Sequence, residues 1–129
     1  YMAPEVALSK PYGTGCDVYS FALVFWEMLA LTEPYAGMDI NAHLNLVVKR
    51  GVRPRVDASW PPRLRVLLER GWNESAKDRP PMASATNILR GEVARARDGD
   101  QTGLEHCRRR STFVLRKGSF SFAKSNAKL

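Results

Sequence analysis

Apolar residues recur at helical spacing through the first three quarters of the chain. Between about Cys16 and Ala30, the residues Val18, Phe21, Ala22, Phe25 and Leu29 fall three or four apart and make one apolar face, with Asp17 placed to cap the helix start. Tyr19, Leu23, Val24, Trp26 and Ala30 fill the other faces. A helix that is apolar nearly all round is enclosed by protein or crosses a membrane. Polar Ser20 and Glu27, and the short length, argue against the membrane. The pattern therefore predicts a central helix needing neighbours around its whole circumference. The other helices of this sequence are too few to supply them, so the helix points to a larger parent protein.

Three further helices follow from the same reasoning. After the turn cluster Glu33-Pro34-Tyr35-Ala36-Gly37, Asp39 caps a helix from Ile40 to about Arg50, with Leu44, Val47 and Val48 on its buried side. Beyond Pro54, Ser59 is placed to cap a helix whose first turn takes Pro61 and Pro62, where a missing amide proton costs little. Leu64, Leu67, Leu68 and Trp72 form its apolar stripe. The polar stretch from Asn73 to Pro81 is irregular, and a last helix runs from about Met82 to Arg95 with Ala85, Ile88, Leu89 and Val93 facing inward. No segment of residues 1–95 alternates with the period of two that a half-buried strand needs, and no repeat recurs at solenoid spacing. The predicted class is mainly α, built of four helices.

Composition changes the picture near the C-terminus. The formal charge of +7 is uneven: residues 1–90 hold 11 Lys/Arg against 9 Asp/Glu, whereas residues 91–129 hold 9 against 4. Residues 96–129 are rich in Arg, Lys, Ser, Gly and Asp, with short apolar groups such as Phe113-Val114-Leu115. Such a segment buries too little to offset its ordering entropy, so a basic, disordered tail is expected after a domain spanning 1–95.

The two cysteines, Cys16 and Cys107, show no CxxC or ligand spacing and give no disulfide framework. No apolar run approaches the roughly 20 residues that cross a bilayer. These features favour an intracellular, cytoplasmic location, with membrane attachment through upstream sequence left open. The chain starts at Tyr1 without a leader pattern and reads as a piece of something longer. His43 and His106 have no third ligand or nucleophile nearby in the sequence, and Trp26 and Trp72 read as core anchors. Cys16, near a helix start, could have a lowered pKa, although a buried inert thiol is the commoner case.

The string Tyr1-Met2-Ala3-Pro4-Glu5 resembles the end of the activation segment of protein kinases, where Ala-Pro-Glu closes the loop that receives substrate. The motifs behind it follow in the family's order. Asp17-Val18-Tyr19-Ser20-Phe21 through Trp26-Glu27-Met28-Leu29 resembles the kinase F helix, and Pro34-Tyr35, Arg53-Pro54, Gly71-Trp72 and Asp78-Arg79-Pro80 come after it. The resemblance covers residues 1–90 and is closest in style to the tyrosine-kinase-like group of Ser/Thr kinases. It implies the C-terminal helical lobe of the two-lobed, α+β kinase fold.

The resemblance also implies roles. Glu5 pairs with Arg79, tying the end of the activation segment to the loop before the last helix. Asp17 accepts backbone amides of a catalytic loop that this sequence does not contain. Tyr1 and Met2 line the pocket for the substrate residue after the phosphorylated one, and Tyr rather than Trp at position 1 leans toward Ser/Thr as acceptor. Ala22 departs from the family, which commonly has Gly there; a helix can absorb the extra methyl.

Phosphoryl transfer needs a Gly-rich loop, a strand Lys, an Asp base, and an Asn and second Asp for Mg²⁺. The sequence has no GxGxxG, His-Arg-Asp or Asp-Phe-Gly. ATP and Mg²⁺ are therefore expected in the parent protein only, with no catalytic, cofactor-binding or metal-binding residue in this chain, which by itself is expected to be inactive. The expected function is part of a kinase that transfers the γ-phosphate of ATP to Ser/Thr of protein substrates, with the rest of the kinase domain as a partner. The alternative is a noncatalytic, pseudokinase-like scaffold.

In the tail, Arg108-Arg109-Arg110-Ser111 and Arg116-Lys117-Gly118-Ser119 place serines after basic clusters. Ser111 and Ser119 are thus candidate phosphorylation sites. Phe120 and Phe122 among these charges also fit an acidic membrane surface released by phosphorylation. The same charges carry no specific signal for nucleic acid.

Overall fold

The computed structural model describes residues 1–99, in which Ala96 and Arg97, expected at the start of the tail, are helical, whereas the tail from residue 100 on, with its candidate phosphoserines Ser111 and Ser119, Cys107 and His106, lies outside the described residues. Those residues form helices and turns with no strand among them. In order they are α1 (Pro4–Ala7), α2 (Gly15–Ala30), α3 (Ile40–His43) running on as a π-helical stretch (Leu44–Lys49), α4 (Pro62–Gly71), a 3₁₀ turn (Ala76–Asp78) and α5 (Met82–Arg97).

Three helix starts show where local chemistry and tertiary context part. Asp39 caps α3 as its sequence predicts, accepting the Ala42 amide at 2.7 Å. Asp17 does not cap α2: the helix is entered at Thr14, and Asp17 sits third in its first turn. Its earlier start brings Gly15 against the 3₁₀ turn, where a Cβ on Gly15 would lie 3.2 Å from the Ala76 carbonyl oxygen. Ser59 does not cap α4 either. Its amide and hydroxyl both turn back to Asp57 Oδ1, at 2.9 and 2.6 Å, and Pro61 takes the cap position. Four-residue α1 and the 3₁₀ turn are too short to leave a periodic signal. The last helix runs to Arg97, two residues past its expected end.

Helix α2 carries the core. Val18, Tyr19, Ala22, Leu23 and Trp26 form its buried stripe. With Ala3, Trp60, Leu68 and Trp72, four of them (Tyr19, Ala22, Leu23 and Trp26) make one cluster. Burying a side chain such as Leu23 or Leu68 completely contributes about 1.5 to 3 kcal/mol each. Trp26 also donates its indole N–H to the Arg55 carbonyl at 3.0 Å, fixing the loop before α4. Phe21 and Phe25, assigned by spacing to the inner face, stack on one another at 5.8 Å and are only half-buried. On the remaining face Val24 and Met28 are exposed, Met28 by 67%. Val93, expected to face inward on α5, is also exposed, whereas Ala85 is fully buried.

Where α2 crosses α4, Ala22 meets Gly71. A Cβ built on Gly71 would lie 2.8 Å from the Ala22 methyl, closer than two such carbons can sit. The Ala22 methyl therefore fits at this crossing because position 71 is a glycine.

Candidate functional site

The N-terminal segment is held on α2 and on the loop before α5 by three side-chain connections. Pro4 opens α1 with φ already suited to a helix, and Val6 and Ala7 both donate to the Ala3 carbonyl. That turn carries Glu5, whose side chain reaches Arg79. Pro80 restricts the residue before it to extended backbone, and Arg79 has φ −75° and ψ 138°. The 3₁₀ turn that precedes it, closed by Asp78 donating to the Ser75 carbonyl, delivers the guanidinium inward.

Glu5 and Arg79 meet as a two-pronged pair, Nη1 to Oε1 at 2.6 Å and Nη2 to Oε2 at 2.9 Å. The Arg79 side chain has no solvent exposure and that of Glu5 has 12%. Arg79 further donates to the carbonyls of Asn73 (2.8 Å), Gly15 (2.9 Å) and Glu74 (3.3 Å). A buried guanidinium without such acceptors would be strongly unfavourable. Its hydrogen bonds hold the Glu5 carboxyl below the usual carboxylate range, against the opposing effect of burial.

The other two connections fix Tyr1. Ser20 Oγ donates to the Tyr1 carbonyl at 3.0 Å, and the Tyr1 hydroxyl donates to the Glu27 carboxylate. That hydrogen bond to Glu27 is the main reason the Tyr1 phenol is pushed up to about 12. Past the first turn with Asp17, Ser20 and Glu27 are the polar positions on an otherwise apolar helix, and both are used to seat residue 1. Sequence reasoning missed both contacts. The available signal was polarity itself, since polar groups on a buried helix find partners. The result is an exposed edge of Tyr1 and Met2, 46% and 56% accessible, on a rigid base.

Asp17 is exposed and is not joined to Glu5, Arg79 or Tyr1. Its carboxylate receives the Cys16 thiol at 3.7 Å. Burial first, and then the Asp17 charge, push the Cys16 thiol up, so the helix start does not activate it. His43 sits edge-on to the Tyr35 ring at 5.4 Å, and burial lowers its pKa. Among the described residues no group of three His, Cys, Asp or Glu could hold a metal ion, and no helix is long and apolar enough to cross a membrane. A separate, mostly apolar cavity of about 590 Å³ lies between α2 and α5, with Phe25, Leu29, Trp60, Leu64, Leu89 and Val93 in its wall.

A family model described as protein tyrosine and serine/threonine kinase matches residues 1–89. The chain is 33% identical over 106 residues to the serine/threonine-protein kinase STY17 of Arabidopsis thaliana, covering 82% of the chain and 19% of that protein. It is 36% identical over 89 residues to the serine/threonine/tyrosine-protein kinase HT1 of the same plant, covering 69% and 23%. It is 30% identical over 106 residues to mitogen-activated protein kinase kinase kinase 7 of Drosophila melanogaster, covering 82% and 16%. The chain thus spans about a fifth of the length of the curated relatives it matches.

Proposed function

This chain belongs to the protein tyrosine and serine/threonine kinase family, and from that premise we propose that it is the substrate-docking part of a helical kinase lobe whose parent transfers the γ-phosphate of ATP to Ser or Thr of proteins. The observation that carries this reading is the Tyr1–Met2 edge, exposed yet anchored through Ser20, Glu27 and the Glu5–Arg79 pair. An exposed pair of side chains on a rigid base suits recognition of an extended peptide. Tyr1 and Met2 would contact the residue after the phosphorylated one.

Asp17, exposed at the start of α2, would accept amides from a loop of the parent outside this chain. The exposed Val24 and Met28 and the apolar cavity would be covered by the remainder of the kinase domain. ATP and Mg²⁺ would be held by that remainder. A cytoplasmic location and an acidic membrane surface as a partner of the basic tail complete the reading.

The test uses the full-length protein and the present chain side by side. The full-length protein should phosphorylate a Ser/Thr peptide mixture and not a Tyr one, and the present chain should release no heat with MgATP and transfer no phosphate. If the full-length reading frame lacks the Gly-rich loop, the strand Lys and both aspartates, catalysis is wrong and a noncatalytic scaffold takes its place.

A further inference from the structure

The ring of Tyr19 is completely buried, and two guanidinium groups rest against it: Cζ of Arg79 at 5.0 Å from the ring centre and Cζ of Arg53 at 5.1 Å. They reach it from different parts of the chain. Arg79 comes from the loop before α5 and carries Glu5. Arg53 follows the π-helical stretch and gathers three carbonyls, those of Val47 (2.9 Å), Val52 (2.9 Å) and Trp72 (3.0 Å). Two like charges are thereby held on one ring, Arg79 buried and Arg53 partly buried, and Glu5 is the carboxylate among the charged groups acting on Tyr19. The face of an aromatic ring is negative and attracts a cation, the more so when both are desolvated.

The Tyr19 hydroxyl contributes little to this arrangement. It is buried with no hydrogen-bond partner among the described residues. The Tyr35 hydroxyl comes near it without hydrogen-bond geometry and donates instead to the Val52 carbonyl at 3.4 Å.

We propose that Tyr19 is a positioning residue, whose ring faces hold Arg79 and Arg53 together and so couple the Tyr1–Met2 edge, through Glu5, to the junction of the π-helical stretch with Trp72. What matters at position 19 is the aromatic face. Burial alone, which an aliphatic residue supplies equally, is not enough, and the hydroxyl is dispensable. The proposal holds whatever the parent phosphorylates, since it concerns which side chains fix the edge.

The first test needs no substitution. In the full chain, proton resonances of the Arg53 and Arg79 side chains should be shifted upfield by the ring current of Tyr19, and Tyr19→Phe should keep both shifts and the wild-type urea midpoint. Tyr19→Leu should lower the folding constant, and in an Arg53→Met background that loss should shrink by about fivefold, the share owed to one partly buried cation on a ring. Random-coil positions for both arginines in the unsubstituted chain would overturn the proposal. So would a Tyr19→Leu penalty unchanged in the Arg53→Met background, which would make it a cavity effect. Should Tyr19→Leu fail to fold, the ring-current shifts and the Phe variant decide alone.

Discussion

The Glu5–Arg79 pair sets a test whose size follows from its burial. Arg79→Ala strands a carboxylate that is 12% exposed and removes a donor from the carbonyls of Asn73, Gly15 and Glu74. Breaking one side of a buried pair costs about 3 to 5 kcal/mol, a large part of the roughly 5 to 15 kcal/mol that holds a domain together. Glu5→Gln keeps an oxygen facing the guanidinium and leaves the three carbonyls in place, so its cost should be nearer 2 kcal/mol, the worth of a hydrogen bond to a charged group. The double variant no longer strands the carboxylate and should be less destabilised than Arg79→Ala alone. The coupling expected from the cycle therefore exceeds the cost of Glu5→Gln alone, about 2 kcal/mol. Urea unfolding followed by helical circular dichroism reads it, and at a slope of about 1 to 1.5 kcal/mol per molar the coupling displaces the midpoint by more than 1 M. Additive single changes would refute the reasoning. The pH dependence gives a second check on the same pair. Because Arg79 lowers the Glu5 pKa in the folded chain, the ionised carboxylate is favoured by folding. That stability is complete above the unfolded value of about 4.3 and is lost as pH falls through the lower folded value. Glu5→Gln should flatten this acid limb.

Three further predictions follow from particular contacts. Gly71→Ala should destabilise by about 1 to 3 kcal/mol through its clash with Ala22, and adding Ala22→Gly should restore most of the loss in the same urea assay. Leu31, half exposed at the left-handed C-cap of α2 with φ 53°, should tolerate Gly with a gain of about 0.5 to 1 kcal/mol, read as a higher melting temperature. Glu27→Gln should bring the Tyr1 phenol down from about 12 toward the free value near 10, measured by the pH titration of its ring-carbon resonance; a titration left in place would show that Glu27 does not hold it.

Legibility in the sequence followed the range of the interaction. Helices α2, α4 and α5 were readable because each repeats an apolar stripe over at least 10 residues, and the Asp39 cap because the amide it accepts is only three positions away. The false caps at Asp17 and Ser59 show the limit of that reading. Both have the right residue type, but Gly15 packs on Ala76 and starts α2 early, and Asp57 claims the Ser59 hydroxyl first. Glu5 and Arg79 lie 74 positions apart, so no local rule could join them, and the resemblance to a kinase activation segment supplied the pairing. The stack of Arg53 and Arg79 on Tyr19 and the seating of Tyr1 by Glu27 had no such guide.

The Ala22–Gly71 contact shows why a single departure from a family's pattern is a poor measure of lost function. Taken alone, Ala22 adds a methyl at a helix crossing with no spare room. The crossing stays close because α4 ends in a residue with no side chain to give way. Gly71, one of the residues that carry the kinase resemblance, leaves the room that the Ala22 methyl occupies. Helix α2 packs closely on α4 at that crossing, and the same helix carries Ser20 and Glu27, whose two hydrogen bonds seat Tyr1. A core degraded by drift would be expected to leave the methyl unaccommodated. A methyl fitted at this depth argues that the edge formed by Tyr1 and Met2 rests on a base that is packed to hold it.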